Sequence, residues 1–192
     1  MEFVYDVKIP KDRIAVLIGT KGNIKKQIEE ETKCKINVNS KEGEVRLTSD
    51  DSLALFLAKD VVKAIARGFN PQTAQLVLKT YCVFELLTIT DYVSKSKSTI
   101  ERLKGRVIGE GGKARHQIET LTSTHISVYG KTIGIIGETE HAALARSAIE
   151  SLLSGSTHAT VYRFLERKKK ELERQTVFGN KIELKEGAER YL

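Results

Sequence analysis

A duplicated glycine loop is the feature of this chain that most restricts its fold. Gly19-Thr20-Lys21-Gly22 lies between an apolar segment and an amphipathic segment, and Gly109-Glu110-Gly111-Gly112 has the same setting at a constant offset of 90 residues. A G-x-x-G turn directly before a helix presents backbone N–H groups at the helix start, which suits phosphate binding. One such loop is weak evidence of function, whereas two in register are strong evidence.

The repeat continues into the segments after the loops. Residues 19–38 align with residues 109–128, and the identical pairs fall on turn glycines, on one helix face and on one strand face. These pairs are Gly19/Gly109, Gly22/Gly112, Gln27/Gln117, Ile28/Ile118, Glu29/Glu119, Thr32/Thr122, Ile36/Ile126 and Val38/Val128. Identities at such positions indicate a shared fold rather than a shared composition.

Periodicity predicts the elements of the first unit. In order they are a strand at 3–9, a short helix after Pro10, the loop, a helix at 23–32, and strands at 35–39 and 44–48. Asp50 or Asp51 is expected to cap a long helix that ends at Gly68. The apolar face of that helix comprises Leu53, Leu57, Val61 and Ile65.

The second unit repeats this order. Its predicted elements are a strand at 83–89, a helix within 96–108, a helix at 113–122, and strands at 124–129 and 132–137. Ser98, with Glu101 three residues later, is expected to cap the first of these helices. Thr139 is expected to cap a last helix that reaches about residue 153 and buries Ala143, Ile149 and Leu152.

The chain therefore divides into a first unit at 1–68, a short linker at 69–81, a second unit at 82–153, and a C-terminal helix with a tail at 154–192. The linker holds Pro71 and the apolar run 74–78, so a packed helical turn is expected there. A helix is predicted at about 156–175, and the tail 176–192 is expected to be weakly structured. Acidic residues surround the basic run 167–170, which favours a solvated helix face over an RNA-binding patch.

Composition narrows the class of partner. Among 192 residues there are 32 Lys and Arg against 25 Asp and Glu, a net charge of +7 that modestly favours a polyanionic partner. No apolar run is long enough to span a membrane, and the N-terminus has no signal-peptide pattern, so a cytoplasmic protein is expected. Cys34 and Cys82 are far apart and have no CxxC partner, which fits buried residues in a reducing compartment and leaves a disulfide open.

An enzyme is the first competing hypothesis. The histidines His116, His125, His141 and His158 form neither HxH, HExxH nor a zinc-ligand spacing with cysteine. Residues 109–113 lack the G-x4-GK[ST] spacing of a Walker loop, and no pair of carboxylates marks a catalytic site. The sequence therefore predicts no catalytic residue, no metal site and no cofactor.

The two units resemble a known domain. The order strand, helix, G-x-x-G, helix, strand, strand, helix, with an aliphatic pair before each loop, resembles the type I K-homology (KH) domain over about 3–68 and 82–153. This resemblance implies an α+β fold of two tandem KH domains, each with a three-stranded antiparallel sheet packed on helices, plus a C-terminal helix. The segment Arg67-Gly68-Phe69-Asn70-Pro71 resembles the inter-domain signature of the tandem-KH family known as partner of Nob one or Dim2, archaeal type.

That family resemblance implies a role and partners. It implies binding to single-stranded RNA, namely the 3′ region of small-subunit ribosomal RNA during ribosome maturation. It also implies contact with the endonuclease that cuts this 3′ end and with the alpha subunit of translation initiation factor two. Two alternatives remain open at this stage: a KH scaffold that binds proteins, and an RNA-binding protein linked to translation or the exosome without a role in rRNA processing.

The resemblance also implies which residues contact RNA. In a KH domain the loop clamps a stretch of about four nucleotides, and the bases lie in an adjacent apolar groove. The expected RNA-binding residues are Gly19, Thr20, Lys21, Gly22, Asn23, Lys25, Arg106, Ile108, Gly109, Glu110, Gly111, Gly112, Lys113, Arg115 and His116. Groove candidates are Ile18, Ile24, Ile36 and Val38 in the first unit, and Ile108, Ala114, Ile126 and Val128 in the second, although for each of them a core position is favoured.

The two loops are expected to differ in task. Lys21 adds a cation at the phosphate path of the first loop, whereas Glu110 adds an anion to the second, which Arg106, Lys113 and Arg115 surround. Ala114 stands where the first unit has Ile24, so the second groove is expected to be wider or shallower. Both loops are retained as binding sites, and the second is favoured for target selection.

Overall fold

Each repeat forms a three-stranded antiparallel sheet with its helices on one face. The computed structural model describes residues 2–93 and 96–189. The first unit contains β1 (Phe3–Lys8), α1 (Lys11–Ile18), α2 (Asn23–Thr32), β2 (Lys35–Asn39), β3 (Glu44–Ser49) and α3 (Ser52–Ala66). The last strand lies in the middle, giving the order β1-β3-β2. The predicted α+β class is confirmed.

The second unit has the same topology and one additional helix. It contains β4 (Cys82–Thr88), α5 (Lys97–Ile108), α6 (Lys113–Thr122), β5 (His125–Tyr129), β6 (Thr132–Glu138), α7 (Thr139–Leu153) and α8 (His158–Glu189). Its strand order is β4-β6-β5. Between the units lie α4 (Pro71–Gln75) and a 3₁₀ turn at Leu76–Leu78, and Ala74 and Val77 of this segment are buried.

Asp51, one of the two residues predicted to cap α3, does so, and its carboxylate accepts from Leu53 N at 2.9 Å. Two helix faces differ from the predictions. Leu53 itself is 64% exposed, because the buried rows of α3 begin only at Ala58. In α7 the buried alanines are Ala142, Ala145 and Ala148. The predicted Ala143 lies one position further around the helix than Ala142 and is exposed.

Two predicted caps are also wrong. Ser98 lies inside α5, and the N-cap position belongs to Ser96, whose hydroxyl bonds that of Ser98 at 3.0 Å. Thr139 is already the first helical residue of α7, because the backbone of Glu138 is still extended. Charge pairs such as Lys168–Glu171, at 2.8 Å, support the exposed face of α8.

The predicted weakly structured tail is wrong over residues 176–189. Helix α8 begins at His158, two residues after the predicted start, and runs to Glu189, far beyond the predicted end near residue 175. Residues 190–192 of the predicted tail lie outside the described residues. Both cysteines are free thiols; Cys34 is buried, as expected, whereas Cys82 is only half-buried.

The second sheet is covered on both faces. Ile133 and Ile135 of β6 point to the helices of their own unit, whereas Ile136 is fully buried in the core cluster of the first unit. On that outer face Phe69, which lies three residues after the end of α3, packs edge-to-face on Phe84 with ring centroids 6.2 Å apart. The apolar cores of the two units therefore join through the linker.

Polar contacts reinforce this junction. The Ser127 hydroxyl donates to the carbonyl of Arg67 at 2.9 Å, and the Tyr129 hydroxyl donates to Asp12 at 2.7 Å. The hydrogen bond to the Asp12 carboxylate, together with desolvation, raises the pKa of Tyr129, so this tyrosine stays a neutral donor. The junction thus combines a buried aromatic contact with directional bonds at its margin.

Gly134 makes the close approach of Phe69 possible. A Cβ at position 134 would lie 2.7 Å from Cε2 of Phe69 and 3.3 Å from the Phe84 ring. Gly134→Ala is therefore expected to destabilise the fold by about 1–3 kcal/mol, since the buried ring has to shift. The free energy of unfolding from urea titration measures this change.

A matched glycine provides the control. Gly105 lies inside α5, and a Cβ there would meet nothing within 4 Å. Gly105→Ala is expected to stabilise the protein by roughly 0.5–1 kcal/mol through helix propensity. If Gly134→Ala unfolds at the same midpoint urea concentration as the wild-type protein, the packing described for Phe69 is wrong.

Candidate nucleic-acid interface

The two glycine loops have the same backbone conformation. Each is a 3₁₀ turn between two helices, at Thr20–Gly22 and at Glu110–Gly112. The φ values of the four glycines that define the motifs match closely, at +72° for Gly19 and Gly109, and at +78° and +80° for Gly22 and Gly112. The repeat detected in the sequence is therefore a repeat of local geometry.

The first glycine of each loop is required by close packing. A Cβ at Gly19 would lie 2.4 Å from Cγ1 of Ile24, and one at Gly109 would lie 2.6 Å from the Cβ of Ala114. These distances are far below van der Waals contact, so only glycine allows the incoming helix to meet the outgoing one here. Ile24 and Ala114 thus occupy equivalent places against the turn.

The second glycine of each loop has a different role. Gly22 and Gly112 precede the first residues of α2 and α6, and a Cβ at either position would meet nothing within 4 Å. Their left-handed conformation favours glycine, and the missing side chain leaves open space beside the helix N-terminus. The first N–H groups of each helix lie there, together with the positive end of its dipole.

The residue before the second glycine distinguishes the loops. Lys21 has φ of +54°, a left-handed conformation that is strained in a residue with a side chain, whereas Gly111 reaches +58° without strain. Thr20 and Lys21 of the first loop are exposed, and so are the equivalent residues of the second loop, Glu110 and Gly111. The first loop therefore holds a cation in a strained turn, and the second holds an anion in a relaxed one.

The helix starts also differ. Asn23 Oδ1 accepts from Ile24 N at 2.9 Å, so an amide oxygen covers one N–H group at the start of α2. The matching residue of α6 is Lys113, which is exposed and whose ammonium can donate but cannot accept. Lys113 therefore leaves its helix N-terminus uncapped by this route and adds a positive charge beside it.

A glutamate in each unit ties the helix after the loop to the edge strand. Glu29 accepts from Ile36 N at 2.8 Å, and Glu119 accepts from Ile126 N at 2.7 Å. Both glutamates also pair with a cation four residues earlier, at 3.7 Å from Lys25 in one case. Sequence patterns alone do not assign these glutamates a role. The signal that could have identified them is that the same residue, glutamate, stands at both equivalent positions of the repeat.

The predicted cations have different surroundings. Lys25 and Arg115 are partly exposed and paired with these glutamates, and the Arg115 side chain is 43% exposed although its Nε atom is buried. His116 is exposed on α6. Arg106 instead faces the protein, where its Nη2 donates to the carbonyl of Ser156 at 2.6 Å and its Nε to that of Leu152 at 3.2 Å. The structure thus gives Arg106 backbone partners that sequence patterns did not reveal.

The groove candidates separate into core and surface residues. Ile36 is fully buried, and Ala114 and Ile126 are each 4% exposed, so all three belong to the interior. Because Ala114 is buried, it does not line an open groove in this structure. The half-buried candidates, which reach the surface, are Ile18, Ile24, Val38, Ile108 and Val128.

Metal sites and membrane-spanning helices are also absent among the residues that the structure describes. Across residues 2–93 and 96–174, whose side chains the structure describes, no three His, Cys, Asp or Glu side chains come together in a way that could hold a metal ion. Within the same ranges, every helix is too short or too polar to cross a membrane.

The chain matches two family models. Residues 4–64 match the KH domain, and residues 83–170 match the eukaryotic-type, or type I, KH domain, a match that extends into α8. A KH domain-containing protein of Methanocaldococcus jannaschii is 47% identical over 172 residues, which are 88% of this chain and 75% of that protein. The pre-rRNA-processing protein PNO1 of Candida albicans is 30% identical, over 81% of this chain and 58% of that protein.

A solved structure is similar over most of the chain. It is the complex of a/eIF2alpha, aDim2p and rRNA from Pyrococcus horikoshii, of which one chain has 46% sequence identity and a TM-score of 0.82. The match covers 88% of this chain and 96% of that one. Given two KH folds with intact loops, a packed linker and these relatives, the chain belongs to the tandem-KH family of Dim2 and PNO1 RNA-binding proteins, and it is of the archaeal type.

Proposed function

We propose that this protein clamps single-stranded RNA with both glycine loops and that its target is the 3′ region of small-subunit ribosomal RNA during ribosome maturation. The observation that carries the proposal is the open space at Gly22 and Gly112, where a Cβ would meet nothing. A phosphate can approach the backbone there, at the positive end of a helix. RNA binding itself is the property of the family to which the chain belongs.

The proposed contacts follow from the geometry of each loop. In the first loop the contacts are made by Gly19, Thr20, Lys21, Gly22, Asn23 and Lys25. In the second loop they are made by Ile108, Gly109, Glu110, Gly111, Gly112, Lys113, Arg115 and His116. The bases lie on the half-buried aliphatic side chains beside the loops, because these present apolar area without being locked into the core. Arg106 is left out of this set, because backbone carbonyls hold its guanidinium.

The two loops divide the work. Lys21 places a charge where a phosphate passes, so the first loop supplies sequence-independent attraction. Glu110 opposes phosphate in the second loop, which depends instead on Lys113, Arg115 and the uncapped start of α6. The second loop is favoured for target selection, because the acidic Glu110 at its tip weakens the attraction to phosphate that is independent of RNA sequence.

The identity of the RNA and of the protein partners rests on the relatives. The similar Pyrococcus structure joins aDim2p to rRNA and to a/eIF2alpha, and the Candida relative is named a pre-rRNA-processing protein. We extend these partners to this chain, and add the endonuclease that forms the 3′ end of the rRNA on the basis of the family resemblance. The protein acts in the cytoplasm, where both of its cysteines stay as free thiols.

Negative charge added to the loops tests the clamp. The double variants Thr20→Asp/Lys21→Asp and Glu110→Asp/Gly111→Asp are each expected to weaken binding to a 3′-end rRNA oligonucleotide by roughly tenfold. The first variant replaces a cation by two carboxylates, and the second adds one carboxylate to the one already present, in both cases against the phosphates. The dissociation constant is measured by fluorescence anisotropy over a range of salt concentrations. The salt dependence should be shallower in the first variant, because fewer counterions are released.

Neutral variants separate charge from backbone strain. Thr20→Asn/Lys21→Asn and Glu110→Asn/Gly111→Asn impose similar demands on left-handed φ without adding negative charge, and they should bind more tightly than their Asp counterparts. If both Asp variants bind like the wild-type protein, the clamp is wrong. Equal affinity of the wild-type protein for a scrambled oligonucleotide would remove the rRNA assignment and leave RNA binding intact.

Lys21 offers a test in which stability and binding change in opposite directions. Lys21→Gly relieves the strain of φ +54° and is expected to stabilise the fold by up to about 1 kcal/mol. The same change removes a phosphate contact and should weaken RNA binding severalfold. Urea titration and anisotropy measure the two effects, and an unchanged affinity would show that Lys21 is not at the phosphate path.

We also infer that the protein does not cut RNA itself. The purified protein, incubated with a 3′-extended rRNA fragment and Mg²⁺ or Mn²⁺, should leave the fragment intact on a denaturing gel. Cleavage that co-purifies with the protein and disappears with EDTA would overturn this inference.

A further inference from the structure

The C-terminal end of α5, directly before the second loop, is held by a residue from outside the predicted KH unit. The last four carbonyls of a helix have no partner within it. Gly109 N satisfies the carbonyl of Gly105 at 2.8 Å. The next carbonyl, that of Arg106, lies 2.8 Å from Nε2 of His158, the first residue of α8. Because a carbonyl only accepts, His158 Nε2 carries the proton of this bond.

The side chain of Arg106 closes the link from the other direction. Its Nε donates to the carbonyl of Leu152, in the last turn of α7, and its Nη2 donates to that of Ser156, on the connection from α7 to α8. Residue 106 is therefore bonded through both its side chain and its carbonyl to the segment 152–158. We call this closed set of hydrogen bonds the α5–α8 brace.

The base of α8 is itself fixed by packing. Val161 and Leu165 are 2% and 1% exposed and belong to the core of the second unit. The His158 ring lies against Tyr162 with ring centroids 6.1 Å apart. The first turns of α8, which carry the imidazole, cannot move without disrupting the packing of the core. The α5–α8 brace therefore connects the end of α5 to a fixed helix.

The first unit has a related tie at a different place. Arg13 donates through Nε to the carbonyl of Ile65 at 2.8 Å and through Nη2 to that of Phe69 at 2.6 Å. Arg13 lies six residues before Gly19, whereas Arg106 lies three residues before Gly109. The residue that matches Arg106 in the repeat is Val16, which has no polar side chain. The second unit therefore places its tie about one helical turn nearer to the loop.

The second loop is also the one with more need of support. Gly109, Gly111 and Gly112 fall within four residues, and glycine loses more conformational freedom on ordering than any other residue. A loop that is ordered before the ligand arrives binds more tightly, because less entropy is lost on binding. The α5–α8 brace holds the last turn of α5, and so fixes the position at which the glycine-rich loop begins.

We infer that His158 and Arg106 are positioning residues of the second RNA clamp. They act through the end of α5 and do not touch the RNA. The inference rests on the proposed function in assuming that this loop binds phosphate. It makes α8 part of the binding unit, because the helix supplies the imidazole that satisfies the carbonyl of Arg106.

The test uses the full chain carrying Thr20→Asp/Lys21→Asp, so that the second loop dominates binding. In this background His158→Ala is expected to weaken RNA binding about fivefold, the effect of losing one hydrogen bond of preorganisation. It should also speed hydrogen exchange of the amides at 109–114 without RNA present. His158→Gln, which retains an N–H donor at a similar reach, should restore both properties to near the background values.

A packing variant provides the matched control. Val161→Ala lies one turn further along α8 and loosens its buried face without removing the bond to Arg106. It should lower the melting temperature at least as much as His158→Ala but leave exchange at 109–114 unchanged. Unchanged loop exchange in His158→Ala, or an equal increase in Val161→Ala, would overturn the positioning role.

The exchange measurement also separates this inference from the proposed function. If the background protein is folded but binds no RNA, the second clamp fails as a function, and exchange at 109–114 still decides whether the brace orders the loop. If RNA binds and neither affinity nor exchange responds to His158→Ala, the brace is wrong and the clamp remains.

Discussion

The absence of a side chain at Gly19 and Gly109 is the constraint on which both units depend. At these two points the chain leaves one helix and enters the next with the helices nearly in contact, and a single added carbon would overlap Ile24 or Ala114. The tight crossing sets the direction of α2 and α6, and this direction brings Glu29 and Glu119 to the edge strands. The open start of each helix and the bond from each glutamate to the edge strand both follow from this crossing.

Much of the fold could be predicted from the sequence because it arises from local patterns. Alternation, glycine turns and the constant offset of the repeat gave the element order of both units, the helical linker and the loops. The identical pairs also have physical reasons: Thr32 and Thr122 each donate to the carbonyl four residues earlier, at Ile28 and Ile118. The wrong predictions concern helix ends and helix faces. On a helix face, a shift of one residue moves a side chain by about 100° around the axis and decides whether it is buried, as for Ala143.

Contacts between residues far apart in the sequence could not be predicted from such local patterns. Nothing local to Gly134 indicates that Phe69, 65 residues earlier, will lie against it. Arg106 was assigned to RNA because it is a cation near a phosphate loop, and only the position of α8 shows that backbone carbonyls hold its guanidinium. Charge and proximity in sequence identify candidate ligands for phosphate, but they do not reveal which cations the protein already uses to satisfy its own helix ends.

The joined cores of the two units have a consequence for how RNA is held. Phe69 packs on Phe84, and Ile136 of the second unit is buried in the core of the first, so the two units are joined by packed residues. For an RNA strand that engages both proposed loops, the second contact forms at an effective concentration set by rigid geometry rather than by linker length. Such avidity is available only where the path of the RNA matches the fixed separation of the two loops.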